Sequence, residues 1–396
     1  MLAARQKAAS GRYRDLVCKN VYRCIKLQKA LFFMFVENLT VEHFRNLEKI
    51  TFQPDREINV IFGDNAQGKT NLIEAIYLFS GQKSFRGTKD SQLPTLTDPP
   101  GQHVAKLSLS FFAQQRHQTA RIVIDKKRSA MLNDLPLPAP SALCEHFGAV
   151  LFSPADMDLI KDGPNVRRKF LDNAIAMLRP KYAKMLSVYN RAVTQRNAIL
   201  RDVLFHSELS FMLDSFEDRI AKAGAYIIAQ RRKYLEALQT YLPAIYGGIS
   251  NNKETLTISY KCSAENGDWE TILHLLQQNR AEDTKNMTTS IGPHRDDLEF
   301  FINQMPVKAF GSQGQRRSVV LSLKLAEAEI LKKHSGEQPV AILDDVMSEL
   351  DRTRQDFILN HITGWQVFIT CCDPNAVHAL QAGRCFQMEN GVLTPI

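Results

Sequence analysis

Eight consecutive residues, Gly63-Asp64-Asn65-Ala66-Gln67-Gly68-Lys69-Thr70, carry the pattern G-x-x-x-x-G-K-[ST]. Glycines at that spacing let a backbone wrap a polyphosphate and offer it unpaired N–H groups, and the N-terminus of a following helix adds partial positive charge. Lys69 is placed to reach the β and γ phosphates of ATP, and the Thr70 hydroxyl to ligate Mg²⁺. All eight residues are expected to contact the nucleotide. A phosphate loop of this kind needs a second acid to hold the metal, and Val340-Ala341-Ile342-Leu343-Asp344-Asp345 ends in two. Asp344 is expected to orient magnesium and its water ligands. Asp345 then sits where a carboxylate could align, or take a proton from, an attacking water. Two acids after an apolar run often mark no more than a surface turn; beside a phosphate loop they read, with Lys69, as a catalytic set.

A second anion site is written at Ser312-Gln313-Gly314-Gln315, which precedes a helical run from Ser318 to Lys332 whose Leu321, Leu325, Ala328 and Leu331 recur at spacings of three and four. A Ser-x-Gly-Gln turn at a helix start offers the Ser312 hydroxyl and the Gly314 N–H as donors. One nucleotide does not need two phosphate sites on one chain. The turn is therefore expected to face the γ-phosphate held by a second copy, which would make ATP the bond between the copies of a dimer.

The ordered set of motifs resembles the ABC ATPases of the SMC and Rad50 type, and among them the RecF family of bacterial recombination mediators. The resemblance is carried by Asn38 to Leu47 with Phe44-Arg45-Asn46, the phosphate loop, Leu151-Phe152-Ser153-Pro154-Ala155-Asp156 with Gly163-Pro164-Asn165-Val166-Arg167-Arg168, Gly292-Pro293-His294-Arg295-Asp296-Asp297, the Ser312 turn, and Leu343-Asp344-Asp345 to Leu350-Asp351. It extends over residues 34–396. It implies an α/β ABC-type P-loop ATPase head of two lobes with an inserted helical arm, and a dimer-seam loop containing Asp351. The implied activity is weak, DNA-dependent hydrolysis of ATP used as a switch: ATP closes a homodimer on duplex DNA at single-strand/double-strand junctions, and slow hydrolysis releases it. Partnership with RecR and RecO in loading RecA at gaps, and a cytoplasmic, nucleoid-associated location, are further implications. Two departures stand out. Asp345 replaces the usual glutamate, one methylene longer, and Thr370-Cys371-Cys372-Asp373 has no histidine where many ABC enzymes place a γ-phosphate sensor; Thr370 is a candidate substitute that the sequence leaves open, and His378 lies too far along. A head serving a Rad50-like nuclease or an SMC-like chromosome-structure complex is the alternative, against which stands the lack of a long coiled coil. A transporter ATPase would need closer motifs.

These side chains must be positioned by elements that the pattern also suggests. Ile58-Asn59-Val60-Ile61-Phe62 reads as a buried strand entering the phosphate loop, and Asn71 to Phe79 as an amphipathic helix leaving it; Phe35 to Phe44 alternates as an opening strand. Far more chain separates Gly63 from Ser312 than a nucleotide-binding core requires. Two helical stretches fill it, one carrying Tyr182, Met185, Tyr189 and Val193 on one face. The other runs from Leu209 to Leu242, about 50 Å at 1.5 Å per residue, and is expected to end at Pro243 and Gly247-Gly248. The expected division is a head of residues 34–165 and 291–396, an arm of residues 166–290, and a basic extension of residues 1–33.

Charge adds a partner class. The net charge of +8 is concentrated in residues 1–33, which carry eight Lys/Arg against the single acid Asp15. That extension reads as translation from an upstream start, a basic arm or a targeting segment, with the fold beginning at Met34. DNA contact by the folded body then requires local patches, for which Lys83, Arg86, Lys89, Arg167 and Arg168 are the candidates, with Lys169 beside them, followed by Arg191 with Arg196 and Arg231-Arg232-Lys233. They would hold phosphate backbones without reading sequence. Seven cysteines without a C-x-x-C pair suggest neither a disulfide framework nor a zinc site and fit a reducing compartment.

Overall fold

The computed structural model describes residues 33–95, 104–265, 267–372 and 383–396. Residues 1–32 and His378 lie outside the described residues. Phe33 already forms a parallel bridge with Gln338, one residue before the expected start, and Met34 is buried.

Period-two alternation produces β1 (Phe35–Phe44), which turns back into β2 (Leu47–Phe52), before β3 (Ile58–Phe62) delivers the chain to the phosphate loop. β4 (Ala105–Ala113), β5 (Arg116–Ile124), β6 (Arg128–Leu132) and β7 (Leu135–Pro136) follow, and with β1 and β2 build an antiparallel sheet in the order β2-β1-β4-β5-β6-β7. Its tight hairpins carry pairs of residues with positive φ, Gln114-Gln115 and Asn133-Asp134, as the twist of two-residue connections demands.

The second large sheet runs β15-β14-β3-β13-β12-β8, with β8 (Ala149–Phe152), β12 (Val340–Asp344), β13 (Val367–Cys371), β14 (Arg384–Glu389) and β15 (Val392–Pro395); only β15 is antiparallel to its neighbour. β9 (Leu256–Lys261), β10 (Asp297–Ile302) and β11 (Met305–Pro306) make a third, three-stranded sheet. The pairing of β9 with β10 crosses the expected division at 290/291.

In the parallel sheet, β3, β13, β12 and β8 are covered on both faces, which is why they are almost wholly apolar, while β14 and β15 at one edge are partly exposed. On β3, Val60 joins the core shared with the arm helices and Ile61 the core shared with the antiparallel sheet. The helix Lys69–Leu78 is wedged into the latter core and is buried nearly all round, including Glu74, so it is not the amphipathic helix that its sequence suggests. Glu74 is paired to Arg45 of the β1–β2 turn at 3.0 Å. The helix Gln313–Ser335 is likewise enclosed between Ser318 and Ala328, and its Lys324 and Glu327 pair at 2.5 Å in the interior.

The arm comprises helices Pro164–Leu178, Pro180–Asp202 and Phe211–Ser250. The last continues through Pro243, past its expected end. Proline forfeits one backbone hydrogen bond there, but Leu242, Ile245, Tyr246 and Ile249 extend the buried stripe, and packing outweighs the local preference. Arg196 is fully buried between Glu217 at 2.9 Å and Asp283 at 2.7 Å, tying the two long helices to the segment before Gly292. Arg231 is buried too, against Asp172 at 2.9 Å and the Pro293 carbonyl at 2.7 Å. Both are internal pairs rather than the surface charges that the sequence suggests.

Candidate functional site

Strand register assembles the site. β13 lies between β3 and β12, with Asp344 opposite Thr370, Thr370 opposite Ile61 and Cys371 opposite Phe62, so three parallel strands end side by side. The loop that leaves β3 bends through Gly63 (φ 150°), Ala66 (φ 65°) and Gly68 (φ 117°) before the helix begins at Lys69. A Cβ at Gly63 would stand 2.2 Å from the Met388 carbonyl oxygen, and one at Gly68 would stand 2.9 Å from Leu47 Cδ2. Within this loop, both positions therefore require glycine. The loop is clasped from β14–β15 as well, where the Gly391 and Asn390 N–H groups donate to Gln67 O (3.0 Å) and Gln67 Oε1 (2.5 Å). Asn46 supports it from the β1–β2 turn, donating to the Ala66 carbonyl at 3.4 Å and accepting from Asn71 at 2.7 Å.

Lys69 Nζ donates to the Gly63 and Asp64 carbonyls at 2.5 and 2.8 Å and stands 3.9 Å from Cys372 Sγ. The same thiol donates to Asn65 Oδ1 at 3.2 Å. At the strand ends, Asp344 Oδ1 accepts from Thr70 Oγ1 at 3.0 Å and from Thr370 Oγ1 at 2.8 Å, while the Asp345 N–H donates to Thr370 Oγ1 at 3.0 Å. Burial pushes the Asp344 carboxyl above the usual carboxylate range, the Thr370 and Thr70 hydroxyls pull it back, and the charge of Asp345 raises it further. A cation between Thr70 and Asp344 would relieve that cost. Two oxygen donors and no larger cluster suit a hard divalent ion that keeps waters and takes its remaining ligands from phosphates; among the described residues no group of three or more His, Cys, Asp or Glu gathers to hold a metal alone. Asp345 adopts φ 53°, a left-handed conformation that an aspartate tolerates better than most residues, and Ser348 Oγ donates to its carbonyl at 3.0 Å. Thr370 is thus bonded to both aspartates. Strand register, not motif spacing, locates it there.

The Ser312 turn is built differently. Ser312 and Gln313 are exposed. Ser312 Oγ accepts the Gln315 N–H at 3.2 Å and Gln315 Oε1 accepts the Ser312 N–H at 2.8 Å, a reciprocal cap on the helix Gln313–Ser335. A Cβ on Gly314 would lie 3.0 Å from the Arg354 guanidinium, which donates to Ser318 Oγ at 2.9 Å and pairs with Asp351. Asp351 is the exposed N-cap of the helix Arg352–His361, and the Arg354 N–H holds its carboxyl below the usual range. The turn and the Asp351 loop therefore share one exposed edge.

The basic candidates separate into three kinds. Lys83, Lys89 and Arg168 line a groove of about 1170 Å³ between the antiparallel sheet and the arm, together with Lys126, Lys127 and Lys169. Lys126 and Lys127 come from the β5–β6 hairpin turn and are absent from the sequence candidates, although the run Lys126-Lys127-Arg128 is visible there. Arg86 instead donates to Asn71 Oδ1 at 2.8 Å, beside the phosphate loop. Arg167 is 5% exposed and clamps Asp297 with bonds of 2.7 and 2.8 Å while donating to the Leu159 and Asp162 carbonyls. It is removed from the DNA candidates, because its positive charge is consumed internally. Arg168 stays partly exposed, one guanidinium nitrogen bonded to the Asp296 carbonyl at 2.6 Å.

Comparison with known proteins matches residues 35–394 to the model of the RecF/RecN/SMC N-terminal domain. The DNA replication and repair protein RecF of Clostridioides difficile is 34% identical over 376 residues, 90% of this chain and 100% of its own length. That of Clostridium novyi is 39% identical over 341 residues, 85% and 92% of the two chains. Among solved structures, the recombination mediator protein RecF with ATPrS superposes with a TM-score of 0.86 at 34% identity, covering 92% of this chain and 99% of that one. The head domain of Smc from Pyrococcus furiosus, at 17% identity and a TM-score of 0.51, shares the fold.

Proposed function

This chain belongs to the RecF/RecN/SMC N-terminal-domain family, and within it to the RecF proteins of DNA replication and repair; from that premise we propose an ATP-gated clamp on DNA. The observation that carries the proposal is the pairing of one site complete within the chain, the phosphate loop with Asp344 and Thr370, and one exposed half-site, the Ser312 turn, with no hydrogen bond joining them among the described residues.

In the clamp, the amides from Asp64 to Thr70 and the Lys69 ammonium hold the ATP phosphates of one copy, and Ser312 and Gly314 of a second copy meet the γ-phosphate. Binding draws Lys69 from its two loop carbonyls to the phosphate oxygens. When bound, magnesium would be held by Thr70 and Asp344 and would neutralise charge on the β and γ phosphate oxygens. Asp345 aligns water for attack on the γ-phosphorus; the bond to the β,γ-bridging oxygen breaks, and ADP and phosphate leave. The shorter reach of Asp345 makes this step slow, so hydrolysis acts as a release switch. Thr370 bridges the metal-binding and water-aligning aspartates and occupies the place where a γ-phosphate sensor is expected.

The groove lined by Lys83, Lys89, Lys126, Lys127, Arg168 and Lys169 is the DNA seat, suited to phosphate backbones rather than base edges. Preference for single-strand/double-strand junctions, DNA-stimulated hydrolysis, partnership with RecR and RecO during RecA loading, and a cytoplasmic, nucleoid-associated location complete the reading. The solved relative described as a RecF-ATP structure in the RecFOR pathway supports the nucleotide and the pathway. Light scattering with ATP and magnesium, with ADP and without nucleotide, each with and without duplex DNA, tests it. The mass should double only with ATP, and DNA should lower the ATP concentration required; an ATP-saturated chain of unchanged mass would sink the clamp.

A further inference from the structure

Resting on the clamp reading, we infer that Glu254 is a positioning residue that fastens the arm to the dimer seam and sets the presentation of Ser312. Its carboxylate is divided between two elements. Oε2 accepts the hydroxyl of Tyr246, in the last turns of the helix Phe211–Ser250, at 2.6 Å, and Oε1 accepts Gln315 Nε2 at 2.7 Å. Gln315 is the final residue of the Ser-Gln-Gly-Gln turn. Its other amide atom, Oε1, accepts the Ser312 N–H at 2.8 Å. An amide side chain has one accepting and one donating end, so occupying the donating end with Glu254 fixes which way round Gln315 sits and keeps its oxygen on Ser312. Removing Glu254 leaves Gln315 free to flip or swing, and the cap that orients Ser312 loosens.

The same end of the long helix also touches the other seam element. A Cβ on Gly248 would come within 2.6 Å of the Phe357 ring, which belongs to the helix capped by Asp351. The end of the long helix thus reaches the Ser312 turn through the Tyr246–Glu254–Gln315 bonds and meets the Asp351 helix directly at Gly248. The long helix lines the basic groove through Arg231, fifteen residues before Tyr246 and therefore about 22 Å away along its axis. A single helix contacts the groove at one point and the seam at another, and Glu254 is the polar link between that helix and Gln315. Tyr246 is fully buried, so its hydroxyl has no solvent to turn to and holds Glu254 in place.

The test compares wild type, Glu254→Ala and Glu254→Gln. Glutamine can still accept from Gln315 with its oxygen and donate to the Tyr246 oxygen, and serves as the rescue. Hydrogen exchange of the Ser312 and Gln315 amides in the nucleotide-free chain is read first. At least a tenfold acceleration in Glu254→Ala, reversed mostly in Glu254→Gln with exchange in the parallel sheet unchanged, is expected. ATP affinity of the dilute monomer should stay within twofold of wild type, while ATP-dependent dimerisation weakens at least tenfold in the alanine variant and recovers in the glutamine variant. Wild-type exchange at Ser312 and Gln315 in Glu254→Ala overturns the positioning role, and wild-type dimerisation despite accelerated exchange overturns the link to the seam. A wild-type chain that fails to dimerise with ATP overturns the clamp and with it the link to the seam, while the exchange measurement still decides the positioning role.

Discussion

The phosphate loop and the Ser312 turn both offer a serine or threonine, glycine and helix-terminal amides to an anion, yet the fold treats them oppositely. Around Lys69 and Asp344, three strand ends, a hairpin and a helix converge, and the hydroxyl and carboxyl groups are already bonded to one another. Around Ser312 there is a self-capped turn on an exposed edge, steadied from the side by the Gln315–Glu254 bond. Lys69 and Asp344 are buried among these elements, whereas the Ser312 turn lies open, its amides bonded to its own side chains. In the clamp proposed above, this difference separates nucleotide binding by one copy from closure by two.

That separation is most directly broken by Lys69→Met, which removes the phosphate counter-charge while keeping the glycines. Nucleotide affinity should fall by at least ~100-fold, and dimerisation with it. Undiminished ATP binding by calorimetry would refute the loop assignment. Asp344→Asn should keep ATP affinity within about tenfold, because the loop amides and Lys69 remain, but should reduce magnesium-dependent hydrolysis by about 100-fold or more. Asp345→Asn should preserve binding and accumulate the ATP-bound dimer; hydrolysis at the normal rate would remove its water-aligning role.

The open half-site sharpens the comparison through Ser312→Arg, in which monomer ATP affinity stays within about twofold while dimerisation drops by roughly tenfold or more, since a bulky cation blocks only the approach of the second copy. Mixing Ser312→Arg with Lys69→Met restores one complete composite site per heterodimer, so ATPase activity should partly return. The absence of any recovery would argue that the two regions do not act across a dimer. The smallest effect is expected at the groove. Lys126→Ala with Lys127→Ala should lower DNA affinity several-fold and make its salt dependence shallower, by about 1 in the log–log slope for each DNA phosphate that the two lysines neutralise, without altering ATP affinity.

The motifs of both regions are legible because they reside in short strings, Gly63 to Thr70, Asp344-Asp345 and Ser312 to Gln315, and the fold brings Thr70 and Asp344 within 3.0 Å of each other. Expectations weakened wherever a role depends on distant chain. Thr370 reaches Asp344 because β13 inserts between β3 and β12, an ordering that no local pattern specifies. Arg167 and Arg168 are adjacent and equally basic in sequence, but helical geometry turns one inward onto Asp297 and leaves the other at the groove. Periodicity also misjudged the helices Lys69–Leu78 and Gln313–Ser335, since a helix sandwiched between layers can bury Glu74 or the Lys324–Glu327 pair once partners are supplied from elsewhere. Pro243 signalled an end that tertiary packing overrode.

That uninterrupted passage through Pro243 has a mechanical consequence. The helix of 40 residues is a rod about 60 Å long, held at one end against Phe357 and Glu254. Its other end is held as well, with Leu213 and Ile220 buried and Glu217 paired to the buried Arg196, so the rod spans the arm as a brace pinned at both ends. A break at Pro243 would have left Tyr246 and Gly248 without this rigid connection to the core of the arm.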